Sequence, residues 1–130
     1  MIKVNLEALL ERTEILLKQN VITQKAYDVS IQAFKNLQTF IGKSYIEHAE
    51  MLFTHLPMAI TRISSGGDVT GPDNLILEEI KNSPYFGEAE TQVAMIEKNL
   101  GEPLPTGEKN YLMLHFVNVI QQNLEGGENE

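Results

Sequence analysis

The sequence predicts an all-α fold: a compact five-helix bundle with one additional short helix. Three observations carry that expectation. Apolar residues recur at spacings of three, four and seven along most of the chain, as one face of a 3.6-residue helix requires. No segment alternates apolar and polar residues as a half-buried strand would, and the breaks between periodic stretches are of the kind that start and stop helices. At 130 residues the chain is long enough to bury a core without a disulfide or a structural metal.

Each element follows from its own residues. Leu6, Leu9, Leu10, Leu16 and Leu17 make residues 4–20 a one-faced helix. Thr23 is placed to cap the second helix, whose inner stripe is Ala26, Ser30, Ala33, Phe34, Leu37, Phe40 and Ile41, and Gly42 stops it. A third helix is expected from Ser44, burying Tyr45, Ala49, Leu52, Leu56, Ala59, Ile60 and Ile63. Pro57 inside it removes one backbone hydrogen bond and should kink it, leaving a carbonyl near Phe53 unpaired. SSGGDVTGPDN, residues 64–74, is a long loop. NLILEEIK is the short helix, starting near Asp73, and Pro84 separates it from a helix along Phe86, Ala89, Val93, Ile96 and Leu100 that ends at Gly101. GEPLPTGE is a turn, with Thr106 expected as N-cap of a last helix over 107–124. Residues 1–124 therefore read as one helical domain and 125–130 as a polar C-terminal tail.

Composition removes several function classes. Ten basic residues against eighteen acidic ones give a formal charge of −8, and no basic cluster offers a local exception. A phosphate backbone would be repelled over most of that surface, so direct nucleic-acid binding is not expected. The absence of cysteine excludes thiol catalysis and zinc sites built on thiolates. The apolar runs are too short for a bilayer, and MIKVNLEALLERTE carries acids where a signal peptide needs an apolar segment. A cytoplasmic protein with no membrane association is expected.

Two histidines stand in runs that otherwise read as core: "LFTHLPMAITR" at 52–62 and "YLMLHFVN" at 111–118. On the last helix Glu108, Tyr111, His115, Asn118 and Gln122 follow one another by three and four, and so share one face. Met113, Val117, Ile120 and Leu124 form an apolar seam roughly opposite. On the third helix His48, His55 and Arg62 lie seven apart, a rotation of only about 20° per step. His55 should then sit at the border of the core, partly shielded but reachable, while His48, beside Glu47 and Glu50, reads as solvated. Taken singly, each apolar-run histidine is most simply a packed residue with satisfied ring nitrogens, and the last-helix stripe a wet face. His48 and His55 are two turns apart and do not chelate, and the Glu-x-x-His motif of di-iron bundles is absent. Convergence of His55, His115 and Glu108 keeps a small-ligand or metal-binding bundle open as a further reading.

"THLPMAITRI", the glycine loop after it and "LGEPLPTGEKNYLMLHFVN" together resemble the PTS regulation domain, or PRD. That module belongs to bacterial transcriptional antiterminators and activators governed by the sugar phosphotransferase system. The resemblance runs from the first helix to about Gln122. Its most specific pieces are His-Leu…Arg and Leu-Pro-x-x-Glu-x-x-Tyr-Leu-x-x-His. It implies a five-helix bundle that acts as a regulatory module, not an enzyme, with no cofactor. It also implies phosphorylation of His55 and His115 by the phosphocarrier protein HPr or sugar-specific EIIB components. Arg62, Glu108 and Asn118 fall on the accompanying motif positions: Arg62 to hold phosphate oxygens, Asn118 to fix the tautomer of His115 or donate to its phosphate. Pairing as a homodimer and action on a protein effector are implied as well.

The chain departs from the family pattern in places. Thr54 stands where Asp often precedes the first histidine, and Lys109 and Asn110 where small residues are common. A single such module is legible, with no RNA-binding segment or helix-turn-helix, so its output must pass through a partner. A structural or interaction protein that keeps this scaffold without phosphorylation remains the alternative.

Overall fold

In the computed structural model, which describes residues 3–67 and 69–126, three of the six α-helices begin on a side-chain cap. A two-residue strand, β1 (Lys3–Val4), leads to Asn5, whose Oδ1 accepts from the Ala8 N–H at 2.9 Å and opens α1 (Leu6–Lys18). Thr23 caps α2 (Gln24–Ile41) through the Ala26 N–H at 3.1 Å, and Gly42 closes it with φ +79°. That left-handed conformation costs glycine little and other residues more. A second strand, β2 (Ile46–Glu47), precedes α3 (Glu50–Ser64), in which Pro57 is buried without ending the helix. Asp73 caps α4 (Asn74–Lys81) through Ile76 at 3.0 Å, and α5 (Phe86–Leu100) ends at Gly101. The last helix, α6, runs Thr106–Gln121 and continues as a π turn over Gln122–Gly126. The fold is the expected helical bundle, with α4 as its short member.

Several local expectations are corrected. Residues 44–49 do not belong to the third helix. Gln38 Nε2 donates to the Ser44 carbonyl at 2.8 Å, and His48 adopts φ +60°, so helical geometry cannot run back through the segment. Ile46 turns into the core while Tyr45, expected inside, is exposed. The segment pairs antiparallel with β1, Val4 opposite Ile46 and Lys3 opposite Glu47, where no sheet was expected. Strands of two residues are too short to leave a period-two signal. The first helix starts two residues later than 4, because Val4 is in the strand and Asn5 is the cap. Thr106 is the first helical residue rather than the cap; Pro105 holds that position without a side-chain bond. Of the tail at 125–130, Glu125 and Gly126 lie in the π turn and 127–130 lie outside the described residues.

Asn123, in that π turn, is a buried clamp on β2. Its Oδ1 accepts from the Glu47 N–H at 2.9 Å, while Nδ2 donates to the carbonyls of Glu47 at 2.9 Å and Val119 at 2.8 Å. The amide thus supplies the donor and acceptor that a further strand would otherwise supply. Asn123→Leu should cost about 2–3 kcal/mol, since three bonds go and Glu47's backbone groups are left without partners. Urea denaturation of the variant checks this.

The core is continuous through the bundle. Phe34 and Leu37 of α2, Leu52, Phe53, Leu56 and Ile60 of α3, Ile96 of α5, and Leu112, Phe116 and Ile120 of α6 are all buried. α2 packs against α3 and α5, and α6 against α3, α4 and α5. The α3–α6 contact is the one that brings the two histidine-bearing faces together.

Candidate functional site

The site is built on a buried carboxylate. Glu108 lies in the first turn of α6, on the face turned to α3, and is 0% exposed. Arg62, in the last turn of α3, donates to Glu108 Oε2 from Nε at 3.0 Å and from Nη2 at 2.7 Å. The other carboxylate oxygen, Oε1, lies 3.2 Å from Nε2 of His55. Desolvating a carboxylate is costly unless its lone pairs are matched, and here both oxygens have partners from the facing helix.

The glycine loop after α3 helps to enclose the pair. A Cβ added to Gly67 would stand 2.6 Å from Cγ of Arg62, and one added to Gly71 would stand 3.2 Å from the Gly107 carbonyl. The backbone thus lies directly against the arginine side chain at one point and the start of α6 at another. Glycine at 67 permits the first approach, and any larger residue would displace Arg62.

His115 stands two turns beyond Glu108 on α6, its ring centroid 5.7 Å from that of His55. Tyr111 completes an aromatic triangle, 6.0 Å from His55 and 6.4 Å from His115. The His55 side chain is 27% exposed, so it is shielded yet reachable, as its place at the edge of the α3 stripe predicts. Neither nitrogen of His115, nor Nδ1 of His55, makes a hydrogen bond among the described residues, and none of the three is sealed from solvent.

Burial pushes the His115 pKa below its ordinary value of 6.5, and the neighbouring His55 lowers it further. The ring is therefore neutral at pH 7, with a lone pair free for chemistry. The unfolded chain takes up a proton on this residue near pH 6.5 and the folded chain resists it, so the unfolded state binds more protons. The His115 contribution to stability is thus fully present above pH 6.5 and is lost as pH falls through the depressed folded value. Comparing denaturation midpoints of wild type and His115→Asn between pH 7.5 and 5 should show a steeper acid-side loss in the wild type.

Other residues of the predicted stripes separate. Asn118 and Gln122 are exposed, and the Asn118 side chain makes no hydrogen bond among the described residues. The polar stripe of α6 is therefore a wet face only at its C-terminal end; at Glu108 it is enclosed. Arg62, expected to be available to a phosphate, is engaged with Glu108. His48 is exposed, on a turn before α3, away from the stripe it was read into. Thr54 is exposed as well, and the partner of the His55 ring comes from α6 instead. Tyr111 is the residue whose part was missed; its position on the Glu108–His115 stripe was the available signal. No group of three His, Asp or Glu that would hold a metal ion occurs among the described residues, so the metal reading gains no support.

A model of the PRD domain matches residues 32–119, which contain His55, Arg62, Glu108, His115 and Asn118. The chain belongs to the PRD family. Neither a curated protein nor a solved structure matches it. PRD modules are regulatory rather than catalytic, and membership supports a general role in regulation by the sugar phosphotransferase system. Among the described residues of this PRD, no helix is long and apolar enough to cross a membrane.

Proposed function

We propose that this PRD takes a phosphoryl group on His55, His115 or both from HPr or an EIIB protein, and signals sugar-transport status to a protein effector. The observation that carries the reading is the meeting of two reachable imidazoles, ring centroids 5.7 Å apart, beside the buried Glu108 carboxylate and its Arg62 partner. A packed core histidine needs no second histidine within stacking distance and no unbonded nitrogen open to solvent.

The switch follows from charge. A phosphohistidine carries a charge near −2 and three acceptor oxygens. Placed next to Glu108 it repels the carboxylate and competes for Arg62, whose side chain is 38% exposed and able to turn. If Arg62 changes partner, the glycine loop resting on it must move, and the α3–α6 face changes shape. A bistable element of this kind converts a local charge into a signal. Met51 and Met58, 70% and 39% exposed, flank His55 on α3 and offer apolar surface to a docked protein. Homodimerisation is part of the same proposal, and light scattering at micromolar concentration tests it separately.

Incubation with phosphoenolpyruvate, enzyme I, HPr and candidate EIIB proteins, followed by intact mass at mildly basic pH, tests the reading. The expected adduct is acid-labile and alkali-stable, because protonating the ring makes neutral imidazole the leaving group. No adduct, while the same donors label a known PRD regulator in parallel, would overturn it.

A further inference from the structure

The contact between His55 and Glu108 selects a nitrogen. Arg62 is a permanent cation that donates twice to Oε2 of Glu108, so the carboxylate is ion-paired and its Oε1 is an acceptor. An acceptor at 3.2 Å requires that Nε2 of His55 be the protonated nitrogen. In the neutral ring Nδ1 then carries the lone pair; it makes no hydrogen bond and is not sealed from solvent. Thr54, the preceding residue, is exposed and makes no bond to the ring that would favour the other tautomer.

We infer that Glu108 is a positioning residue that holds His55 as the Nε2–H tautomer and thereby directs any phosphoryl group to Nδ1. This rests on the proposed phosphorylation for its use, but the tautomer itself does not. Attack at Nε2 is blocked twice over: that nitrogen has no free lone pair, and a phosphoryl group there would overlap a carboxylate oxygen 3.2 Å away. At Nδ1 the lone pair forms the new N–P bond. The bond from phosphorus to the donor's histidine or cysteine breaks, and its electron pair returns to the donor atom. The Nε2 proton stays in its hydrogen bond, and the carboxylate offsets the positive charge that develops on the ring. His115 has no hydrogen-bonding partner among the described residues and no comparable bias.

The direct test is nitrogen-15 NMR of histidine-labelled protein at pH 8, with long-range proton–nitrogen correlations, assigned by His55→Gln. The expected result is a protonated Nε2 and an unprotonated Nδ1 on His55, in at least about tenfold excess over the other tautomer, equivalent to about 1.4 kcal/mol. A Glu108→Gln variant that retains helical circular dichroism should show that excess reduced. Chemical phosphorylation with phosphoramidate, which needs no protein donor, should then place phosphate on Nδ1 of His55 in the wild type. A predominant Nδ1–H tautomer, or phosphate on Nε2 of His55, overturns the inference whatever the donors do. Failure of HPr and EIIB to label a protein with the expected tautomer would instead overturn the proposed function alone.

Discussion

Arg62→Met should destabilise the protein by about 3 kcal/mol, the low end for breaking a buried ion pair, because the arginine partner is itself partly exposed. The loss comes from Glu108, which would stay buried with no cation beside it. For a domain of this size that corresponds to a fall in Tm on the order of 10 °C. Adding Glu108→Leu should recover most of the loss, since removing both partners removes the uncompensated charge. The double-mutant cycle, read by urea denaturation, should therefore show strong coupling. Additive single effects would mean that the pair does not hold the α3–α6 face together.

Phe53→Ala is expected to cost about 3–5 kcal/mol, the range for deleting a large aromatic from a packed core. Phe53 meets Phe34 edge to face, ring centroids 5.0 Å apart at 84°, and both are buried. The pair ties α3 to α2 from the side opposite His55. Its loss should loosen α3 as a whole, so the variant should also lose amide-exchange protection along Leu52–Ile60. Phe53→Leu, which leaves less empty volume, should lose much less.

The parts of this protein that were legible in its sequence are those set by local chemistry. Thr23, Asp73, Gly42 and Gly101 mark helix ends that follow from caps and left-handed turns, and the structure places them there. Ser44–Ala49 was not legible, because its conformation depends on a strand forty residues earlier and on Asn123 nearly eighty residues later. At the site, spacing showed that Glu108 and His115 share a face, and that His55 and Arg62 share another. It could not show that those two faces meet. Nor could it show that Arg62 would find a carboxylate of its own chain, or that the same carboxylate would meet the ring of His55. Those are consequences of how α6 docks on α3, which no local window contains.

The measurement that bears most directly on the central claim is phosphopeptide mapping at mildly alkaline pH after labelling by the phosphotransferase proteins. It should be run on wild type, His55→Ala, His115→Ala and the double variant. The account predicts phosphate in the peptide containing His55, His115 or both, and none in the double variant while its fold is retained. Phosphate on His48, or label that survives in the double variant, would contradict it.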